Sequence, residues 1–238
     1  MKRIKSVVRS GLFLATISSV FLLAGCSAVS YDVQQTWEYA LKKNQDVELS
    51  AEQIAEFPYT AMYGRVEGGP QILVVLGFVD KTGAAQRLSW ITGSRESVTT
   101  EHARVISTSG LDVDLAAVSD VEQDPLRCIL DNKDVAEPCN SQWVRQIDMV
   151  GKADTSRTGT ETIISSFTVL GNDTLELPSG TKQVLHVEEK GRFVFARQAF
   201  TNEFWLEADG HVVKSKQQLM PYTKTIELTE VKWVGRND

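Results

Sequence analysis

The residues able to do chemistry are few in kind and scattered: three cysteines, three histidines and 31 carboxylates in 238 residues. A serine nucleophile on an α/β scaffold needs a strained elbow to present it, and no Gly-x-Ser-x-Gly occurs. The stretch from Gly64 to Gly69 is glycine-bearing but lacks the Lys-Ser/Thr of a phosphate loop, so it reads as a hairpin turn. His102, His186 and His211 are far apart and each lies in or beside a strand-like stretch. A lone strand histidine is more often a surface or satisfied residue than a base or ligand. The acidic pairs Asp112/Asp114 and Glu188/Glu189 have the composition of a glycosidase, which needs two carboxylates about 5–10 Å apart. Among 31 acids such pairs arise by chance, and they read as solvated strand edges or turns. The expectation is a protein without catalytic residues, metal or cofactor.

Cys26 is different because of what precedes it. Lys2, Arg3, Lys5 and Arg9 form a positive n-region, and residues 11–23 an apolar stretch too short for a comfortable membrane span. Leu23-Ala24-Gly25-Cys26 then resembles the lipobox of bacterial lipoproteins. In that motif the cysteine thiol takes a diacylglycerol, the signal is cut before it, and the new amine is acylated. The reading is a removed signal peptide over 1–25 and a single domain over 26–238. Two or more acyl chains, at about 0.8 kcal/mol per buried methylene, anchor such a protein without spanning the bilayer.

Removing 1–25 takes four of the 25 basic residues and none of the 31 acidic ones, leaving 213 residues with a net charge of −10. That field repels nucleic acid and other polyanions. With Cys26 lipidated, Cys128 and Cys139 remain as a pair. Eleven apart and without a nearby histidine they lack a metal ligand set, whereas an even remainder in an exported protein points to a disulfide. A loop that short is stabilised by roughly 2–3 kcal/mol in the chain-entropy picture.

The elements that must position these residues are mostly strands. Residues 32–43 place Val33, Trp37, Ala40 and Leu41 on one helical face, and Trp37 reads as its core-facing anchor. Ser50 with Gln53 makes a capping box for a short helix that Pro58 ends. Strand patterns follow at 60–66, 71–79 and 86–91, then less distinctly at 99–108 and 111–118. The apolar centre of the second predicts burial on both faces. Asp124-Pro125 starts a helix, with Leu126, Ile129 and Leu130 toward the core. A second meander runs through 142–150, 161–170, 174–177, 181–189, 200–207 and 211–220, and a last strand holds Thr225 to Lys232. The hairpin around Asp209-Gly210 carries the strongest local signal. Eleven or so strands with short turns predict a mainly β fold: an antiparallel meander forming a strongly curved sheet or partly closed barrel, with short N-terminal and mid-chain helices.

Trp90, Trp143, Phe193, Phe195, Phe200, Phe204, Trp205 and Trp233 fall on predicted strands, with Arg87, Arg145, Arg192 and Arg197 close by. Aromatic faces with polar neighbours suit sugars, and aromatic-lined clefts suit apolar ligands. The plainer reading is that the rings fill the core.

One series of motifs is similar to a known family. Pro58-Tyr59-Thr60-Ala61-Met62-Tyr63, the strand 72–77 and Leu88-Ser89-Trp90 resemble the opening of the GfcB/YjbF-type lipoproteins, the group 4 capsule polysaccharide lipoprotein family. Arg104-Val105, Thr108-Ser109-Gly110-Leu111, Asp124-Pro125-Leu126, Phe204-Trp205-Leu206, Asp209-Gly210 and Gln217-Gln218-Leu219-Met220-Pro221 continue the match in order. Cys128 and Cys139 stand outside that pattern. The resemblance implies an outer-membrane lipoprotein, anchored through Cys26 and facing the periplasm, that serves capsule or exopolysaccharide secretion or assembly without catalysis. Ser27 is similar to the signal that sends lipoproteins to the outer membrane. The implied partner is an export protein or the polysaccharide itself, with no role for nucleic acid. Two competing expectations are a periplasmic carrier holding an acyl chain or other amphiphile in the curved sheet, and an enzyme trimming polysaccharide.

Overall fold

The computed structural model describes residues 45–81, 85–131, 141–152 and 157–235. The lipobox with Cys26, the expected helix over 32–43, and Cys139 lie outside these. Helix α1 (Ala51–Glu56) has the capping box that the sequence predicts: Gln53 N–H donates to Ser50 Oγ at 3.3 Å, and Ser50 N–H to Gln53 Oε1 at 2.8 Å. Phe57 is its C-cap, and Pro58 disfavours continuation of the helix through it. Among the described residues no helix is long and apolar enough to cross a membrane.

Among the described residues twelve antiparallel strands follow: β1 (Ala61–Val66), β2 (Gln71–Asp80), β3 (Arg87–Ile91), β4 (Ser97–Glu101), β5 (Arg104–Ser109), β6 (Val113–Val118), β7 (Gln142–Gly151), β8 (Gly159–Leu177), β9 (Gly180–Phe193), β10 (Gln198–Leu206), β11 (Val212–Gln217) and β12 (Ile226–Lys232). They form one sheet in the order β5-β4-β3-β2-β1-β12-β11-β10-β9-β8-β7-β6. Two meanders are thus joined by β1 pairing with β12, with Tyr63 opposite Thr229. Helix α2 (Pro125–Asp131) lies between β6 and β7. Asp124 Oδ1 accepts from Leu126 N–H at 3.1 Å, the capping role the Asp-Pro pair predicts, and Leu126 is fully buried.

Two boundaries differ from the sequence reading. The single strand expected over 99–108 is a hairpin, because His102 (φ 48°) and Ala103 (φ 61°) both adopt left-handed backbone between β4 and β5. The type I′ turn is normally signalled by Asn-Gly, and neither residue is present. Conversely, 161–170 and 174–177 are one long strand, β8, that passes Gly171 (φ 123°) as a bulge against β9.

The sheet curls into a nearly closed barrel whose two free edges, β5 and β6, are consecutive strands. Side chains suture this seam. Thr108 Oγ1 donates to Asp114 Oδ1 at 3.0 Å and accepts from Leu115 N–H at 2.9 Å. Buried Gln217, reaching from β11, acts as a surrogate strand: its Oε1 accepts from Val105 N–H at 3.1 Å and its Nε2 donates to Ala103 C=O at 2.8 Å. An unpaired edge that would invite another chain is satisfied from within.

Met62, Val74, Trp90, Leu115, Ile147, Ile163, Phe193 and Phe200 belong to the interior core. The outer face of β1, β2 and β12 is covered as well: Ala61, Tyr63, Leu73 and Val231 pack with Val47 and Phe57, and Ile54 of α1 packs against them. Leu73 and Val74 are therefore both buried, as the continuous apolar run predicts.

Candidate functional site

Two polar regions are built inside the barrel. The first is a closed charge network. Arg104 on β5 donates from Nε to Asp124 Oδ2 at 2.8 Å and from Nη1 to Glu189 Oε2 at 2.6 Å. Arg145 on β7 pairs with Glu189 Oε1 at 2.8 Å and donates to Ser165 Oγ at 2.9 Å. Asn202 Nδ2 donates to the same Glu189 carboxylate at 3.0 Å, while its Oδ1 accepts from Gln218 N–H at 2.7 Å. The Arg104 guanidinium lies 4.8 Å from the Phe204 ring and 5.2 Å from Trp143; Arg145 lies 4.1 Å from Trp143. The four ionised groups balance two against two, and their side chains are at most 4% exposed.

Burial alone would raise the Glu189 carboxyl, but the two guanidiniums and the Asn202 amide hold it down at about 2. Burial works against both cations too. For Arg104 the Asp124 and Glu189 charges outweigh it and the pKa rises; Arg145 has one carboxylate in direct contact, faces Arg104, and is lowered. Both remain guanidinium ions at any physiological pH. The network joins β5, at one edge of the sheet, to β7 and β9 beyond the other, and so clasps the barrel across its seam.

The second region is a cavity of about 190 Å³ at the end of the barrel where the β4–β5 and β10–β11 turns and the exit of β12 meet. Trp90, Trp233, His102, His211, Gln86 and Thr100 line it, with Met62, Leu88 and Val212 as apolar floor. Trp90 is buried and donates from Nε1 to Thr100 Oγ1 at 2.9 Å. Trp233 meets Trp90 edge-to-face at 6.1 Å and His211 at 4.6 Å, giving an aromatic wall. Behind it His211 Nε2 bonds Glu230 Oε2, whose other oxygen lies 3.6 Å from Lys182 Nζ. Lys182 also pairs with Glu207 at 3.2 Å.

The structure thus gathers two of the three histidines and two of the tryptophans that the sequence leaves separate. His186 is elsewhere, on the outer face, stacked on Trp205 at 4.6 Å and bonded to Glu203 at 3.1 Å. Trp143 belongs to the charge network, Phe193 and Phe200 pack 4.8 Å apart in the core, and Phe195 is exposed. Of the arginines, Arg87 pairs with Glu101 at 3.0 Å. Arg192 lines an open groove of about 470 Å³ on the outer face of β7 to β10, beside Lys190 and Ile164. Arg197 sits in the β9–β10 turn at φ 55°.

The acidic pairs do not converge on a cleft. Asp114 caps the β5–β6 turn through Gly110 and Leu111 N–H, and Asp112 is exposed and paired with Lys152. Glu188 and Glu189 point to opposite faces of β9, an interior strand, so neither is the solvated edge or turn expected: Glu188 is half-buried beside Lys190 and Glu189 is fully buried. A signal for this was available. Val187, Glu189 and Phe193 share the inward phase of one strand, and a carboxylate there requires buried cations. The acyl-carrier expectation meets an interior occupied by side chains, since Trp90, Trp143, Phe193 and Phe204 are at most 2% exposed and the charge network fills the space among them. Cys128 lies on α2, with its expected partner Cys139 outside the described residues.

Comparison with known proteins agrees with the motif series. The family described as group 4 capsule polysaccharide lipoprotein GfcB, YjbF matches residues 34–231. The uncharacterized lipoprotein GfcB of Escherichia coli (strain K12) is 30% identical over 220 residues, spanning 91% of this chain and 97% of the relative. The uncharacterized lipoprotein YjbF of the same organism is 26% identical over 205 residues, 86% and 90% of the two chains. The crystal structure of the hypothetical lipoprotein YmcC from Escherichia coli (K12) superposes with a TM-score of 0.68 at 26% identity, over 79% of this chain and 91% of that one. The chain belongs to the group 4 capsule polysaccharide lipoprotein family.

Proposed function

We propose that this protein is a non-enzymatic accessory factor in capsule or exopolysaccharide secretion or assembly. Lipids on Cys26 hold it in the outer membrane, and its β-domain faces the periplasm. It acts by binding, either to a protein of the export machinery or to the polymer. The observation that carries this reading is the family match over 34–231, which spans the barrel except for Lys232, the last residue of β12. The barrel's chemistry supports a binding role. The carboxylates that could have formed a hydrolytic pair are committed to turn capping, to a surface ion pair and to the buried network. The acidic domain suits contact with partner proteins at least as well as contact with an acidic polymer. We propose further that Cys128 and Cys139 form a disulfide tying α2 to the segment that follows it; mass spectrometry of unreduced protein should show both thiols blocked.

The test is a deletion strain with surface polysaccharide measured directly. Polysaccharide should fall, return with the intact gene, and fail to return with Cys26→Ser although the domain folds. Unchanged polysaccharide in the deletion would overturn the accessory role. Full rescue by Cys26→Ser would overturn the anchoring.

A further inference from the structure

Resting on that reading, we propose that the cavity at the Trp90–Trp233 end is a binding site for one neutral sugar ring, taken as a chain end or a side branch. Size is the first argument. A dry cavity of about 150 Å³ holds a benzene molecule, and this one measures about 190 Å³, enough for one substituted six-membered ring. It falls below the 300–1,000 Å³ of pockets that hold larger ligands, so neither an extended polymer nor a long acyl chain fits within it.

Lining chemistry is the second argument. A pyranose carries C–H groups on its faces and hydroxyls around its rim, and it is recognised by an aromatic surface beside planar hydrogen-bonding side chains. Trp233, in edge-to-face contact with Trp90 and His211, supplies the aromatic surface. His211 has Nε2 committed to Glu230, and its second ring nitrogen has no partner among the described residues. Gln86 at the rim is exposed and its amide likewise makes no hydrogen bond among them. An amide offers both a donor pair and an acceptor, which matches a hydroxyl. The third argument is backbone strain. His102 and Ala103 occupy a turn that calls for φ > 0 twice without Asn or Gly, and both line the cavity. Such positions carry backbone strain, and they concentrate at ligand sites.

Charge selects the kind of sugar. Behind His211 stand Glu230 and Glu207 with Lys182 between them, in a domain whose net charge is −10 once 1–25 are removed. A uronic acid would bring its carboxylate toward that field, whereas a neutral ring brings none.

The test is titration of the full chain in detergent, followed by tryptophan emission and calorimetry, with methyl β-glucoside, methyl β-galactoside, methyl β-glucuronide and benzyl alcohol. Saturable binding of a neutral glycoside is expected, with the glucuronide at least tenfold weaker. Trp233→Ala should weaken it tenfold or more, Gln86→Ala by threefold to tenfold, and His186→Ala on the outer face should leave it unchanged. Because Gln86 is exposed, its variant separates lost binding from lost folding. Stronger binding of the glucuronide, response to benzyl alcohol alone, or no response to any glycoside overturns the proposal. So does equal binding by the Trp233 and Gln86 variants. In the deletion strain, lost polysaccharide together with failed glycoside binding would remove this site and leave the accessory role standing; unchanged polysaccharide would remove the role itself.

Discussion

The two polar regions of the barrel use similar residue types to opposite ends. In the network, Arg104, Arg145, Asp124 and Glu189 are matched charge for charge, and Trp143, Phe167 and Phe204 pack around Arg104 and Arg145. At the cavity, His211 and Glu230 are matched to each other, but space and unbonded polar atoms remain beside them. Buried charges met by opposite charges specify structure, whereas polar atoms left open beside a cavity can serve a ligand. The first region should therefore govern stability and the second binding, and each can be perturbed without the other.

Breaking the network should have the largest effect. Glu189→Gln removes the carboxylate shared by two guanidiniums; Arg104 keeps Asp124, but buried Arg145 is left without a carboxylate in contact. Removing one partner of a buried pair costs about 3–5 kcal/mol, a large part of the 5–15 kcal/mol by which domains are stable. Urea unfolding should show a midpoint lowered accordingly. A midpoint within error of the parent would mean that the network is not what clasps the seam.

Acid should expose the same dependence. The Glu189 carboxyl is held at about 2 in the folded domain against an ordinary 4.5. A group depressed on folding contributes its stability in full above the unfolded value and loses it as pH falls from about 4.5 toward 2. The parent should weaken across that window, and Glu189→Gln should show a flatter acid limb. Parallel limbs in the two proteins would place the acid sensitivity elsewhere.

Between these extremes lies packing. A Cβ added to Gly191 would sit 2.2 Å from the Phe200 ring, which is itself packed on Phe193. Gly191→Ala should cost about 1–3 kcal/mol as an overpacked core, with thermal unfolding as the readout. Neither charge network nor cavity chemistry is altered by it, so a loss of glycoside binding at temperatures where it remains folded would count against the separation of the two regions.

The contrast also marks what the amino-acid order made legible. Period-two patterning located the strands, the capping box at Ser50 and Gln53 gave α1, and Asp209-Gly210 gave the β10–β11 hairpin. The missed β4–β5 turn has His102-Ala103 where turn chemistry would place Asn-Gly, and the strain there is held by tertiary contacts such as Gln217 to Ala103 C=O. The charge network joins residues up to 85 positions apart, from Arg104 to Glu189, so it depended on a sheet order that local pattern does not encode. The cavity is harder still. Trp90, His211 and Trp233 belong to three strand ends that meet only because β1 pairs with β12 and joins the two meanders.

The smallest stability effect sharpens the contrast most. Gln86 is exposed at the cavity rim and carries no hydrogen bond among the described residues. Surface changes of that kind shift stability within about 0.5 kcal/mol, so Gln86→Ala should unfold with the parent in urea. If its glycoside affinity nevertheless falls, recognition depends on an amide that folding does not use. Glu189→Gln, examined under conditions where it stays folded, should show the converse: a lowered midpoint with affinity intact. Coupling between the two, read as a double variant that departs from additivity by more than about 0.5 kcal/mol, would mean that the cavity is shaped by the network, and the division of labour inside the barrel would fall.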